Sequence, residues 1–384
     1  MNKKSIIILS YIFLFFNINL FAGETDKQLK IGLLAPFSGE FKNLGNSLLL
    51  STQLALHEID DERIKIIPRD TGSNNKEQFN NAILEIINSG ANIIIGPVDD
   101  KYFGELKKYK DTIFISLSNK HPKIKDNIIS IGISLESQIL AIEKFIKKMD
   151  KKKTIIMFPN NKYTKFIDEN IKNIKLKNYK IFKYSSDPKI LTGEIEKLTN
   201  YSQRKRNLEL RKKLLEKKDD IKSKNELKKL EQKYTLGEIN FDSVIIIDFG
   251  NSLKSVLTSL VYTDVDQTKV LFTTINQWFD ESIFYENTIK NLYYPSINYN
   301  EFKKYNKKYF EKFKSYPSEI TILTYDALGL IYYAWKKNGR IQSIDDFSFK
   351  NKIKGKIGTF SIKDRKVIQE LDIYKTEKNK FTKF

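Results

Sequence analysis

The sequence predicts an α/β protein made of two doubly wound parallel-sheet lobes. Three observations lead there. Short apolar runs alternate with longer segments whose apolar residues recur every three or four positions, the order that buries a parallel sheet between helices. The alternation runs out near Ile133 and starts again, which makes two such units. Finally, 384 residues exceed one ordinary core, and a hydrophobic content of 40% is enough to fill two.

The first residues stand outside that pattern. Lys3 and Lys4 precede a nearly unbroken apolar run from Ser5 to Phe16; Asn17 and Asn19 interrupt it, and Leu20-Phe21-Ala22 ends on a small residue. A run this short with these flanks reads as a cleavable secretory signal peptide over 1–22, whereas an uncleaved anchor needs roughly 20 apolar residues. No later segment is apolar enough to span a membrane, so an exported, periplasmic protein is expected. The chain has no Cys, hence no disulfides and no residue to carry a lipoprotein's lipid.

Leu29 to Ala35 is the first strand, and Leu44, Leu48, Ala55 and Ile59 stripe the helix after it. Arg63 to Pro68 is the next strand. Asn74, with Glu77 three residues on, resembles a helix cap, and Phe79, Ala82, Ile83, Ile86 and Ile87 follow at helical spacing until Gly90 closes the helix. "NIIIGP" is apolar without alternation, as a strand covered on both faces must be. "TIFIS" completes the first unit. The second runs through a helix striped by Ile139, Ile142, Ile146 and Met149, then "TIIMF", a helix from about Tyr163, "YKIFKY", "SVIIID", a helix from about Asn251 and "KVLFTT". "NLYYPSI" and two helices, about Glu301 to Lys314 and Ile320 to Lys337, come next. "GKIGTFSI" and "ELDIYK" are expected to pair around Lys363-Asp364-Arg365. This tail completes both lobes. The expected division is 23–132 with 291–345 for the first lobe and 133–290 with 346–384 for the second.

One stretch does not belong to the alternation. From Arg204 to Lys233 there are thirteen Lys/Arg against six Asp/Glu, a thin stripe of Leu and Ile, and no Pro or Gly. This charged helical insertion, 204–233, is one long helix or two joined near Lys222-Ser223-Lys224-Asn225. It is either a solvated excursion or a basic docking element.

The formal net charge is +20. That raises nucleic acid as a partner, but the lysines are scattered, and Lys, Ile, Asn, Tyr and Phe all favour A/T-rich codons. An exported protein meets anionic envelope polymers instead, so no nucleic-acid partner is expected. Catalytic and metal chemistry find little support. His57 and His121 are the only two His, and neither has a ligand partner at metal spacing. There is no nucleophile elbow, P-loop or G-x-G-x-x-G, and adjacent acids such as Asp60-Asp61 and Asp99-Asp100 rarely point the same way. Neither an enzyme nor a cofactor is expected.

The loops beyond the strand ends are where doubly wound sheets bind ligands. Here they carry Ser38 and Gly39, Asp70, Asp99, and Ser118 with Asn119, small hydroxyls, carboxylates and an amide suited to walling a polar cleft. Each has a plainer reading. Ser38-Gly39 also serves as a turn before a helix, Asp70 as part of its own Asp-Thr-Gly turn, and Ser118 and Asn119 as part of a hinge.

"KIGLLAPFSGEFKNLGNSLLLSTQLALHEI", "GANIIIGP" and "ISLSN" resemble the type I periplasmic solute-binding proteins of the Leu/Ile/Val-binding class. Within it, "PRDTG", the charged insertion before "FDSVIIIDFG", "ITILTYDALGLIYYAW" and the terminal "GKIGTFSIKDRKVIQELDIYK" are similar to the penicillin-binding protein activator group. The resemblance covers nearly the whole chain after 22. It implies two lobes joined by three crossovers, closing like a hinge on a small solute, with a peptidoglycan synthase or an ABC permease as partner. Two departures stand out. The best-known activators are lipoproteins, and this chain has no Cys. Amino-acid binders of the class hold the ligand's α-carboxylate with a Ser or Thr after the "GP" strand end, where this chain has Asp99 and Asp100. Two like charges ~4 Å apart repel by ~1 kcal/mol in water and by more in a cleft. The resemblance thus implies a non-catalytic binding or adaptor protein acting on cell-wall synthesis; the alternative is an importer's substrate-binding protein for an amino acid or other small solute.

Overall fold

The structure is a computed structural model that describes residues 28–120, 127–282, 291–363, 365–377 and 380–384. The expected signal peptide, His121 and Asp364 lie outside them.

Two sheets repeat one plan. In the first lobe β1 (Leu29–Ala35), β2 (Ile64–Asp70), β3 (Ile93–Ile95), β4 (Ile113–Ser116) and β5 (Ile128–Ser130) run parallel in the order β2-β1-β3-β4-β5. In the second, β6 (Thr154–Pro159), β7 (Tyr179–Tyr184), β8 (Ser243–Ile246), β9 (Leu271–Thr274) and β10 (Leu292–Ser296) run parallel in the order β7-β6-β8-β9-β10. In both, the order reverses beside the first strand, the place where such sheets open a crevice. Central strands are sealed on both faces: every residue of β3 and β6 is buried, while the edge strand β7 leaves alternate stretches exposed. The helices of the first lobe are α1 (Lys42–Ile59), α2 (Lys76–Asn88) and the short α3 (Phe103–Leu106). Those of the second are α4 (Leu135–Lys148), α5 (Thr164–Ile171), α6 (Pro188–Leu198), α7 (Tyr201–Glu216), α8 (Ile221–Glu231) and α9 (Gly250–Tyr262).

The tail departs from the expected division. β10 belongs to the second sheet, beside β9, so 291–297 complete the second lobe before α10 (Tyr299–Phe313) and α11 (Ile322–Asn338) return to pack on α1 of the first. β11 (Ile353–Gly355), β12 (Gly358–Lys363) and β13 (Lys366–Glu370) then extend the first sheet beyond β5, and β14 (Asp372–Glu377) and β15 (Lys380–Lys383) extend the second beyond β10. "GKIGTFSI" therefore pairs with Lys366–Glu370, and "ELDIYK" crosses to the other sheet. The reason is spacing. Only Leu371 separates β13 from β14, too few residues for a hairpin but enough for an extended crossover. The chain passes between lobes at 131–134, at 297–298 and at Leu371.

Two polar and aromatic contacts fix these passages. Gln369, buried on β13, donates from Nε2 to the carbonyls of Ile131 and Gly132 (3.0 Å each) and accepts from Ser137 Oγ of α4 (2.8 Å). Phe279 packs against Tyr299 and Phe302 of α10 and Tyr374 of β14, with ring centroids 4.7–5.5 Å apart, and the Tyr374 hydroxyl accepts from Tyr299 N–H at 2.8 Å.

Smaller expectations shift by a residue or a few. The cap of α2 is Asn75, whose side chain accepts from the N–H groups of Glu77 and Gln78; Asn74 takes a left-handed backbone before it. The charged insertion is two helices, but the break falls at 217–220, ahead of the expected one, because Asp220 caps α8 by accepting from Ser223 N–H.

Candidate functional site

At the first lobe's strand ends, Ser38, Gly39 and Asp70 come together as one cluster. Asp70 Oδ1 accepts from the N–H groups of Phe37 (2.7 Å), Gly72 (2.9 Å) and Ser38 (3.2 Å), and Oδ2 accepts from Gln78 Nε2 (3.0 Å). Burial pushes the carboxyl up, but the Ser38 hydroxyl and these three N–H groups outweigh it and hold the pKa below the ordinary value. Ser73 closes the cluster. Its hydroxyl donates to the Ser38 carbonyl (3.3 Å) and accepts from Glu40 N–H (3.1 Å). Gly39 has φ +71°, and a Cβ there would run into that same Ser73 hydroxyl. Gly39 thus brings its backbone close to the neighbouring loop.

The next two strand ends part company. Asp99 is exposed and accepts from Lys101 N–H (2.9 Å). Its neighbour Asp100 turns inward and binds Lys120 Nζ at 2.8 and 3.0 Å. Ser118 is buried at the first crossover. Its hydroxyl accepts from Lys120 N–H (3.1 Å), and its carbonyl lies so close to Gly132 that a Cβ there would collide with it, so Ser118 is packed against the crossover. Of the expected residues, Asn119 lines a cavity of about 490 Å³ between the lobes, and Asp70 lines a separate one of about 430 Å³ beside Asn75 and Gln78. Asp100 and Lys120 form one wall of the inter-lobe cavity, and Glu169, Asn170 and Phe166 of the second lobe another. The Lys120 ammonium sits 5.9 and 5.8 Å from the Tyr163 and Phe166 ring centroids, which gives the first lobe a cation–π hold on the second.

The second lobe has a counterpart rim that the sequence reading left unassigned. Asp248, buried just beyond β8, accepts from the Tyr184 hydroxyl (2.6 Å), Ser252 Oγ (2.5 Å) and Phe249 N–H (2.9 Å). The signal was available: "SVIII" ends in Asp-Phe-Gly, a strand running into polar and small residues just as at Ser38. Burial, with Asp248 beside it, drives the Tyr184 hydroxyl far above its ordinary range, so it stays a donor.

The charged insertion folds as a helical hairpin on its own small core of Leu208, Leu215 and Leu230. Arg204 roots it. The guanidinium donates to the carbonyls of Thr263 (3.1 Å), Asp264 (3.0 Å) and Gly237 (3.3 Å) and to Thr235 Oγ1 (2.7 Å). Arg211 bridges the two helices to Glu226 at 2.7–2.8 Å. On the face of α7 opposite Leu208 and Leu215, Arg206, Leu210, Lys213, Leu214 and Lys217 recur at helical spacing, all exposed; Leu210 and Leu214 keep 54% and 56% of their surface in solvent. Exposed Glu209 lies between Arg206 and Lys213 at the same spacing, so the face is basic with one acid among its cations.

Among the described residues no three His, Asp or Glu side chains gather to hold a metal, and no helix is long and apolar enough to cross a membrane.

No protein-family model matches the chain, and no curated protein matches it in sequence. Solved structures do. A putative branched-chain amino acid ABC transporter protein from Rhodospirillum rubrum superposes with a TM-score of 0.69 at 9% identity, over 93% of this chain and 100% of that one. The C-domain of LpoA (YraM) from Haemophilus influenzae, a regulator of PBP1A, gives 0.61 at 13% identity over 92% and 99%. The branched-chain amino acid transporter substrate-binding protein LivJ from Streptococcus pneumoniae, in complex with isoleucine, gives 0.55 at 17% identity over 93% and 100%. The fold is therefore that of the type I periplasmic binding proteins.

Proposed function

We propose that this chain is a non-catalytic periplasmic adaptor that acts on cell-wall synthesis by contacting a peptidoglycan synthase, in the manner of the penicillin-binding protein activators. The observation that carries the reading is the spent state of the strand-end rims. A solute's carboxylate needs free N–H groups and hydroxyls at those ends. Here Asp70 occupies the N–H groups of Phe37, Ser38 and Gly72, and Asp248 occupies the donors of Tyr184, Ser252 and Phe249. The hairpin, in contrast, offers exposed leucines on a face where cations outnumber acids, the composition of a docking face for an acidic partner surface. The LpoA domain, described as regulating PBP1A, shares the fold.

A second reading, an importer's substrate-binding protein, is favoured by one feature: the 490 Å³ cavity between the lobes. Asn119, with Asp100 and Lys120, would then meet the solute.

The test is the rate of a purified peptidoglycan synthase from the same cell, with and without this protein. Stimulation that disappears when the hairpin lysines become glutamates supports the adaptor. An unchanged rate, together with a raised melting temperature from a single amino acid or other small solute, would replace it with the second reading.

A further inference from the structure

The largest cavity described, about 890 Å³, lies away from both rims, between α11 and the segment 348–356 that leads into β12. One side of α11 faces it with Tyr325, Gly329, Tyr333 and Lys337, spaced four residues apart. Gly329 is the telling member. Glycine in a helix interior costs stability relative to alanine. Among the described residues, a Cβ at Gly329 would meet no atom within 4 Å beyond the backbone of its own helix. Gly193 of α6 is likewise open at its Cβ, so what singles out Gly329 is the groove beside it. No packing inside the protein calls for the glycine, and its open side faces the groove.

The groove's chemistry is specific. Five lysines line it against Glu301 and Asp326. Lys352 pairs with Glu370 and Lys356 with Glu301, whose carboxylate also feels Lys354 nearby, while Lys337, Lys350 and Lys354 form no salt bridge within 4 Å among the described residues. Tyr333 and Phe349 pack at 5.2 Å between centroids, with Tyr333 half exposed, and Lys337 stands 5.0 Å over the Phe349 ring. Asp326 is buried at the floor, accepting from Lys356 and Ile357 N–H at 2.8 Å each. Aromatic faces suit the C–H face of a sugar ring, and ammonium groups suit a carboxylate or phosphate. Asp326 and Glu301 are already engaged by N–H and ammonium groups, and the lysines outnumber them, so charge admits any anion and the exposed aromatic faces are what favour a sugar ring over a phosphate chain.

We propose that this groove binds an acidic saccharide, stacked on Tyr333 and Phe349 with its anionic group toward Lys350 and Lys354, and that Gly329 is there to admit it. The choice of a cell-wall sugar as probe rests on the envelope function proposed above. The experiment titrates the purified protein with the disaccharide of N-acetylglucosamine and N-acetylmuramic acid, with the neutral dimer of N-acetylglucosamine, and with a short thymidine oligonucleotide. The acidic sugar should bind at least about tenfold more tightly than the neutral one, the oligonucleotide more weakly still. Gly329→Ala should raise the melting temperature, and Gly329→Phe should abolish sugar binding. Should Gly329→Phe fail to fold, the surface pair Lys350→Glu with Lys354→Glu keeps the test, with an expected loss of about tenfold or more. No binding of the acidic sugar, equal binding of the two sugars, or an affinity untouched by these variants overturns the proposal; tighter binding of the oligonucleotide assigns the groove to nucleic acid instead. Sugar binding that survives while synthase stimulation fails sinks the adaptor reading alone.

Discussion

The strand-end rim of the first lobe and the helical hairpin of the second are both rich in charge, yet they use it in opposite ways. At the rim one carboxylate, Asp70, is surrounded by donors from two loops, and the polar atoms satisfy each other. On the hairpin the charges and the two outward leucines of α7 have been left facing solvent, while a separate three-leucine core holds the helices together. Polarity at a strand end is thus no guide to binding by itself. What counts is whether donors and acceptors are already spent. The comparison predicts a double dissociation: rim changes cost stability, and hairpin-face changes cost function.

The largest effect should come from Asp70→Ala. It leaves three N–H groups without their acceptor, at a cost of about 3 kcal/mol in urea unfolding, since each stranded donor forfeits about 1 kcal/mol or more. A loss below about 1 kcal/mol would mean the rim is open to solvent and available to a ligand after all. Gly39→Ala should follow at about 2 kcal/mol, from its left-handed backbone and the crowding by Ser73 together. The same cluster sets an acid limit. Because the folded pKa of Asp70 lies below its ordinary unfolded value of 3.8, its contribution is fully present above that value and is lost as pH falls through the folded one. Asp70→Asn should therefore flatten the fall of stability below about pH 4. An acid limb as steep as in the parent protein would exclude Asp70 as its source.

Much of this was legible in the sequence. The two lobes follow largely from periodicity, because β1, β3, β4, β6, β8 and β9 are short apolar runs closed by a turn signal, whereas β7 is interrupted by lysines and the three-residue β5 is too short to have been expected. The tail was harder. Which sheet a short strand joins depends on edges created by residues far away, and a single residue, Leu371, turns an apparent hairpin into a crossover. The site was legible by place and not by role. Ser38, Gly39, Asp70 and Ser118 do lie at strand ends, but their partners, Ser73, Gln78 and Gly132, are set by tertiary packing. Asp99 and Asp100 show the limit: neighbours in sequence, one points to solvent and the other binds Lys120.

The smallest effect on stability should fall where the effect on function is greatest. Replacing Leu210 and Leu214 together by Asp removes no buried contact, since the hairpin's core is made by Leu208, Leu215 and Leu230. Surface changes of this kind stay within about 0.5 kcal/mol. Leu215→Ala is the matched control. It cuts into the three-leucine core and should loosen the hairpin by about 2 kcal/mol, seen as faster amide exchange across 201–233. If the outward pair abolishes synthase stimulation while amide exchange stays as in the parent, the face itself is the contact. If only Leu215→Ala does so, the hairpin matters as a shape and its outward leucines do not. Two acidic residues placed among Arg206, Lys213 and Lys217 also largely cancel the local field that would draw in an acidic partner. The loss should therefore appear first in the association rate and grow less with rising salt, whereas a loss of shape would be indifferent to it.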